Sequence, residues 1–560
     1  MNEETALLLL TSEEHGSNPL LPTRSTSQRN WPWPIWAAGC TTFIFAILGM
    51  ISGSPSKNQG PLMGLYRYYD LKQRLSDLHL VGHAFFPSDS DFDELSNVWN
   101  QIWRLKAPPN AVIQVRTEDD VRKIVALVSE LRIPFAIKSG GHNKAGYSNS
   151  PDGVIISVEK LHRRVRVLEK RADYALVSIG PTTHGPDILK ASLNDGYGSV
   201  SGICSTVAMS GFALNGGFGL LSRKHGLGSD SIESARIVLA NGRLVVVNAT
   251  QHTDLFWALK GAGGGSFGVV TQMTYKLHPA KNTNLFGVIW IEKEHLAVFL
   301  EQLGLLDARK ELRRELSMII EFWSLPQNTG TSHFGSLQDI VDLASGMEDP
   351  VGIGMWWFGD VMNGKNYIRE TIATIVPGSR FMVESFPWTK NGVNSRDLPM
   401  GSEPMYYQSF TGFVKYKKAT TLNLEHITTT LQGWARQWGD LIAPDFELWG
   451  GKITDVNADA TSFVHRDAIF NIGVVLSVPT TLPNATEVFE DLVSNMSKEW
   501  VDKMSSFVDG AYSNYQMASL SQRAYPKMYW GKNLRRLQEI KRKYDPTDLF
   551  SFPQSIPLPR

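Results

Sequence analysis

Two residues able to form covalent bonds sit in glycine-rich turns far apart in the chain. His142 closes the run Ser139-Gly140-Gly141-His142-Asn143. Cys204 lies in Ser201-Gly202-Ile203-Cys204-Ser205-Thr206-Val207, which runs on to Gly211 and Gly216-Gly217-Phe218-Gly219. Only two cysteines occur in 560 residues, and the other, Cys40, lies in an uncharged apolar run near the N-terminus. Imidazole and thiolate are both soft nucleophiles, and glycine lets a backbone approach a flat ring closely. The cofactor that accepts a bond from each is a flavin. Read singly, His142 is an ordinary turn histidine and Cys204 a buried small hydrophobe. The pair, each in a small-residue turn, is what points to chemistry.

Pattern places the elements around these turns. Residues 111–116 read as a strand, and Thr117 as an N-cap with Glu118, Asp119 and Asp120 in the first turn. Val121, Ile124, Val125, Val128 and Leu131 follow at helical spacing. Pro134 ends that helix, and residues 135–138 predict a strand running into the Gly-Gly-His turn, one β-α-β unit. Further strands are expected at 153–158, 163–169, 174–179 and 269–277, with helices over 184–195 and 254–260 and a hairpin at Asn241-Gly242. Gly263-Gly264-Gly265-Ser266-Phe267-Gly268 has the G-x-G-x-x-G spacing. A dinucleotide fingerprint needs a strand before and a helix after. Here the order is reversed, so NAD is excluded, while a tight loop offering N–H groups to a phosphate is allowed.

Composition narrows the class. Lys+Arg and Asp+Glu are both 55, so no global charge holds nucleic acid. Aromatics are 10% and include 16 tryptophans, as expected of a globular protein with flat apolar ligand surfaces. A disulfide framework is excluded in practice. Residues 30–56 carry no charge, and Trp31, Trp33 and Trp36 crowd one end. The expected arrangement is a cytosolic tail (1–32), a retained single-pass transmembrane anchor (33–52) and a luminal lead-in (53–106), with a cleaved signal peptide as the rival. Sequons at Asn248, Asn484 and Asn495 suit a luminal or extracellular, glycosylated catalytic part of a secretory-system protein.

The chain resembles the berberine-bridge-enzyme-like flavoproteins of the vanillyl-alcohol-oxidase/p-cresol-methylhydroxylase (PCMH) superfamily. The resemblance is carried by Lys138–His142, Gly202–Val207, Gly216–Gly219, Asp254–Gly268, Phe463-Val464-His465-Arg466, Ala511-Tyr512-Ser513-Asn514-Tyr515, Tyr529–Asn533, Tyr544–Phe550 and Pro553–Ile556, in family order over 107–558. It implies an α+β fold: a PCMH-type FAD-binding domain (107–279), a substrate domain with a large antiparallel sheet (280–505), and a berberine-bridge-type C-terminal segment (506–560) returning to the FAD domain. It implies FAD linked bicovalently, through His142 to the 8α-methyl carbon and Cys204 to C6. Ser139, Gly140, Gly141, Asn143, Gly202, Val207, Gly211, Gly216, Gly217, Gly268, Val270 and Asn533 are the further cofactor-binding positions. No metal is implied.

Three polar positions usual in the family look altered: Lys144 and Phe218 stand where tyrosine is common. Gly473 stands where a substrate-domain strand often carries Gln or Glu. Tyr512 and Tyr515 are the candidate bases, and Lys144 is the cation that would make a tyrosinate accessible. The bland alternatives are aromatic core packing and a solvent lysine. In the family, valine three residues past the cysteine looks oxidase-like, so Val207 implies reoxidation by O2 with release of H2O2. The expected substrate is a small organic, polycyclic or alkaloid-like secondary metabolite, favoured by the apparent loss of polar groups. The alternatives are a carbohydrate or alcohol oxidase or dehydrogenase, and a catalytically degenerate flavin-binding protein.

Overall fold

The computed structural model describes residues 70–102, 105, 107–162, 164–321, 342–387 and 404–559. These belong to two compact units, a short helical stretch over 70–77 and everything from Leu80 onward. The turns bearing His142 and Cys204 lie in the second. The expected transmembrane helix falls outside the described residues. Among the described residues, no helix is long and apolar enough to cross a membrane.

Three sheets organise the unit. The first contains β1 (His83–Phe85), β2 (Ala111–Gln114), β3 (Phe135–Lys138) and β4 (Val154–Ser157) in the order β1-β2-β4-β3. Helix α1 (Glu118–Leu131) joins β2 to β3, and both strands run parallel to β4. The start of α1 follows from its sequence. Thr117 Oγ1 accepts the Asp120 N–H at 3.0 Å, and the Asp120 carboxylate accepts the Thr117 N–H at 3.1 Å. The same carboxylate takes the N–H groups of Val81 and Gly82, which pins the entering chain. At the end of β3 the chain turns through Gly141, at φ +70°.

The second sheet is antiparallel, with β5 (Arg166–Lys170), β6 (Ala175–Ile179), β8 (Ile232–Val238), β9 (Leu244–Asn248) and β10 (Val269–Pro279) in the order β5-β6-β10-β8-β9; β7 (Tyr197–Gly198) pairs with β10. Gly242, at φ +74°, makes the β8–β9 turn. Helix α2 (Thr253–Ala262) precedes the Gly263–Gly268 loop and β10 follows it, as the rejection of a dinucleotide motif requires.

The third sheet holds β11 (Thr283–Glu292), β12 (Leu316–Glu321), β13 (Pro350–Trp357), β14 (Arg380–Pro387), β15 (Met405–Lys415), β16 (Ile442–Leu448) and β17 (Ala468–Pro479). Their order is β14-β11-β13-β12-β16-β17-β15, all antiparallel. Helices α3 (Lys293–Ala308), α4 (Thr421–Trp438) and α5 (Ala485–Lys503) pack on it through buried rows such as Leu424, Ile427 and Leu431, spaced for one helical face. Residues 468–474 of β17 are buried without interruption, because an aromatic cluster of Phe218, Phe413, Trp449, Phe463 and Tyr512 adjoins the inner end of the sheet.

After α5 the chain returns to the glycine-rich stretch. Asn514 Nδ2 donates to Phe212 O at 2.9 Å and Ser513 Oγ to Asn215 O at 3.2 Å. On the last helix, α6 (Leu534–Tyr544), Lys541 is completely buried. Its ammonium meets Asp545 at 2.7 Å, Ser266 O at 2.8 Å and Phe550 O at 2.8 Å. The C-terminal segment is thus bolted to the 263–268 loop by a buried charge with every donor directed at an oxygen.

Candidate active site

The two glycine turns meet. A Cβ on Gly140 would lie 2.9 Å from Ala208 Cβ and 3.0 Å from Thr206 O, so only glycine lets the 139–142 turn lie against the 204–208 turn. His142 Nε2 is 2.8 Å from Thr206 Oγ1. The Val207 N–H closes the second turn onto Cys204 O at 3.2 Å. Gly202 makes room for Val207, whose Cγ1 would be 2.9 Å from a Cβ there. His142, Cys204 and Val207 each keep part of their surface exposed. Burial, with the charges of His184 and Lys144, pulls the His142 pKa down to about 4. At neutral pH the imidazole is therefore uncharged, the form that acts as a nucleophile.

The segment read as a mere lead-in also builds the site. Trp99 stacks on the His142 ring with centroids 4.8 Å apart, and on Tyr407 of β15 at 5.4 Å. Its N–H donates to Gly141 O at 2.9 Å. Asn100 Nδ2 donates to Lys144 O and to Tyr407 O, so the histidine turn is strapped to the third sheet. Asn143 accepts the N–H groups of Ala145 and Tyr147 and donates to Gln516 Oε1 at 2.6 Å.

The candidate bases separate cleanly. Tyr512 is 1% exposed, and its oxygen accepts the N–H groups of Gly217 (3.1 Å) and Phe218 (2.7 Å) and the Asn514 amide (3.0 Å). It buttresses the second glycine turn. Tyr515 is half-buried, and its hydroxyl donates to Glu447 Oε1 at 2.7 Å. Burial, with the neighbouring Glu447 charge, pushes both phenols far above their ordinary range, so neither is a tyrosinate at neutral pH. Lys144 sits over the Tyr515 ring, its Nζ 4.2 Å from the centroid, rather than at either hydroxyl. Packed deep in the fold, it has its pKa lowered by desolvation, against the opposing pull of Asp445, Cys204 and Glu447.

Glu447 and Asp445 went unrecognised in the sequence. Glu447 is 2% exposed and takes three donors: Tyr515 Oη, Trp449 Nε1 at 3.1 Å and Asn471 Nδ2 at 3.0 Å. Burial raises its pKa; the three donors and Lys144 work against that. Asp445 is half-buried two residues earlier on β16. The usable signal was two carboxylates at alternate positions of a strand, hence on one face.

Other expected positions do structural work. Phe218 stacks on Trp449 at 4.8 Å, inside the aromatic cluster. Gly216 faces Phe463, and Gly217 faces Phe212. Gly211 is nearest Ser139, whose Oγ would lie 3.9 Å from a Cβ there. Gly268 fits beneath Val238 O, and Val270 pairs with Ile237 in the β10–β8 ladder. Asn533 donates to the carbonyls of Ala458, Thr461 and Ser462. The end of β16 is anchored by the fully buried Arg223, which donates to Trp449 O, to Leu316 O and to Asp307 Oδ1.

The donor set fits FAD. A neutral imidazole and a partly exposed thiol sit on two glycine turns that touch at Gly140 and Ala208. The Pro181–Thr183 loop docks beside them through Met209 N to Thr183 O and Ser210 N to Pro181 O. It holds two buried hydroxyls, Thr182 Oγ1 and Thr183 Oγ1, with no hydrogen-bond partner among the described residues. Residues 109–248 match the FAD binding domain family model, and residues 511–557 match the family described as berberine and berberine like. The chain belongs to the berberine-bridge-enzyme-like flavoproteins, FAD-dependent oxidoreductases.

Relatives of this family cover most of the chain. A carbohydrate oxidase of Microdochium nivale is 27% identical over 84% of this chain and 92% of its own. Berberine bridge enzyme-like 3 of Arabidopsis thaliana is 25% identical over 92% and 96%. A glucooligosaccharide oxidase from Acremonium strictum, whose FAD is 6-S-cysteinyl, 8α-N1-histidyl, superposes with a TM-score of 0.68 at 20% identity, over 87% of this chain and 98% of that one.

Proposed function

We propose that this berberine-bridge-enzyme-like protein is an oxidase of a small hydroxyl-bearing molecule, with Tyr515 and Glu447 acting as a proton-accepting pair. The observation that carries this reading is the 2.7 Å bond from the Tyr515 hydroxyl to the buried Glu447 carboxylate. Neutral Tyr515 is no base alone. It accepts a substrate proton at Oη only as its own proton passes to Glu447 Oε1. A carboxylate whose pKa is raised by burial is a better proton acceptor than an ordinary one. FAD, when bound, supplies the hydride acceptor and passes the electrons to O2, giving H2O2. His142 and Cys204 would hold it, with Nε2 of His142 engaged by Thr206 and Nδ1 left for the covalent bond. The family pattern at Val207 and the oxidases among the relatives support O2 as acceptor. An anchored, luminal placement remains part of this proposal, supported by the exposed sequon residues Asn484 and Asn495.

The preference for a polycyclic, apolar substrate rested on lost polar groups. Lys144, Glu447 and Asp445 put charged groups around Tyr515, and a carbohydrate oxidase is among the relatives; both favour the carbohydrate or alcohol alternative. The test has two parts. Purified protein is denatured and filtered to see whether flavin stays with the chain, and the native protein is screened for substrate-dependent peroxide and anaerobic bleaching. Flavin that washes away entirely refutes the covalent linkage; bleaching by no member of a broad panel refutes the oxidase reading in favour of a degenerate flavin-binding protein.

A further inference from the structure

Asp445 and Glu447 point to the same side of β16, yet their settings differ. Glu447 lies opposite Asn471 and is closed in by its three donors, whereas Asp445 lies opposite Gly473 and keeps accessible surface. Gly473 is mid-strand, in the buried part of β17, where a glycine weakens the strand and calls for a reason. The reason is Asp445. A Cβ on Gly473 would lie 2.2 Å from Asp445 Oδ1, so any side chain there would push the carboxylate out of its seat. Lys144 is near enough for the Asp445 charge to act on its ammonium, against the desolvation that lowers its pKa. Lys144 also covers the ring of Tyr515, whose hydroxyl is the proton acceptor.

We infer that Asp445, seated over Gly473, and Lys144 are the specificity-determining pair, taking neighbouring hydroxyls of a neutral polyhydroxylated substrate beside Tyr515. This rests on the oxidase reading above. A hydroxyl both donates and accepts, so adjacent hydroxyls satisfy a carboxylate and an ammonium together. A cationic amine drawn to Asp445 would be repelled by Lys144. An apolar ring would strip water from both charges and replace none of its hydrogen bonds.

The experiment starts with the wild-type holoenzyme and four probes: cellobiose, xylobiose, an aromatic alcohol and an aliphatic amine. Flavin reduction by none of them overturns this inference, while the oxidase reading stands or falls with the broad panel above. Preference for the alcohol or the amine over both disaccharides overturns the inference alone. With a disaccharide turned over, Asp445→Asn is expected to raise its KM about tenfold or more while kcat changes far less, as loss of a charge-assisted bond common to ground and transition states requires. Gly473→Ala should act in the same direction by displacing the carboxylate. The double variant Asp445→Ala/Gly473→Ala should be no worse than the worse single one. A KM within twofold of wild type in Asp445→Asn, or additive effects in the double variant, overturns the inference and leaves the oxidase reading standing. Retained flavin and an unchanged melting temperature show that each variant is folded; the near-isosteric Asp445→Asn keeps the test decisive where the alanine variants fail to fold.

Discussion

Tyr515→Phe removes one oxygen and separates chemistry from packing. In the native protein that oxygen donates to Glu447 Oε1 at 2.7 Å, and it is the only route from substrate to carboxylate in the proposed relay. General acid–base groups contribute about 10²–10⁴-fold, which is ~2.7–5.4 kcal/mol of barrier at 1.36 kcal/mol per factor of ten. The cost to the fold is smaller. Glu447 keeps the Trp449 and Asn471 donors and loses one charge-assisted bond, ~1.5–3 kcal/mol. The assay is anaerobic stopped-flow reduction of the flavin across pH. Wild type should lose rate as pH falls, because Glu447 accepts only as a carboxylate. Its burial-raised pKa places that loss above the pH at which an exposed glutamate titrates. The phenylalanine variant should be at least a hundredfold slower with covalent flavin intact. A rate within threefold of wild type and an unchanged acid limb would refute the relay. Tyr512→Phe is the contrast: it strips an acceptor from the N–H groups of Gly217 and Phe218, so it should cost stability.

Lys144→Met should retain covalent flavin and move the acid limb of flavin reduction to higher pH. Lys144 favours the charged form of Glu447, so without it a higher pH is needed to ionise the carboxylate; an unmoved limb counts against this coupling. Val207→Leu should slow reoxidation of reduced enzyme in air-saturated buffer by tenfold or more while reduction is little changed, and equal reoxidation rates would remove Val207 from oxygen access. Lys541→Met leaves Asp545 buried without its ammonium, so it should lower stability by about 3–5 kcal/mol, read as a fall in denaturant midpoint; a loss under 1 kcal/mol would show that the site relaxes.

The features legible in the sequence are those specified locally. The Thr117 cap, the Pro134 stop and the Gly-Gly-His turn lie within one β-α-β unit, and glycines report where a backbone must come close. Cys204 drew notice because glycines and serines surround it in the chain. The proposed base was not. Tyr512 and Tyr515 are three residues apart in one turn, and only the placement of β16 and the 216–218 turn tells a buttress from the proposed proton acceptor. Glu447 and Asp445 belong to a strand with no motif around it, and their partners Asn471 and Gly473 are fixed by strand register. Gly473 looked like a missing side chain until that register showed whose carboxylate fills the space. Trp99 comes from a stretch with no periodic pattern, and it matters only through long-range stacking on His142.

The return of the C-terminal segment imposes an order of events during synthesis. Tyr515, the Gln516 that holds Asn143, and the Lys541 and Ile556 contacts to Ser266 all leave the ribosome after every other wall of the site is made. A nascent chain therefore carries the histidine and the thiol long before the pocket exists around them. If flavin is attached through them as proposed, attachment is a late event, reserved for chains whose translation has run to its end. On that proposal ribosome-stalled or truncated products would stay colourless, and a yellow mature protein would double as a record of completed folding.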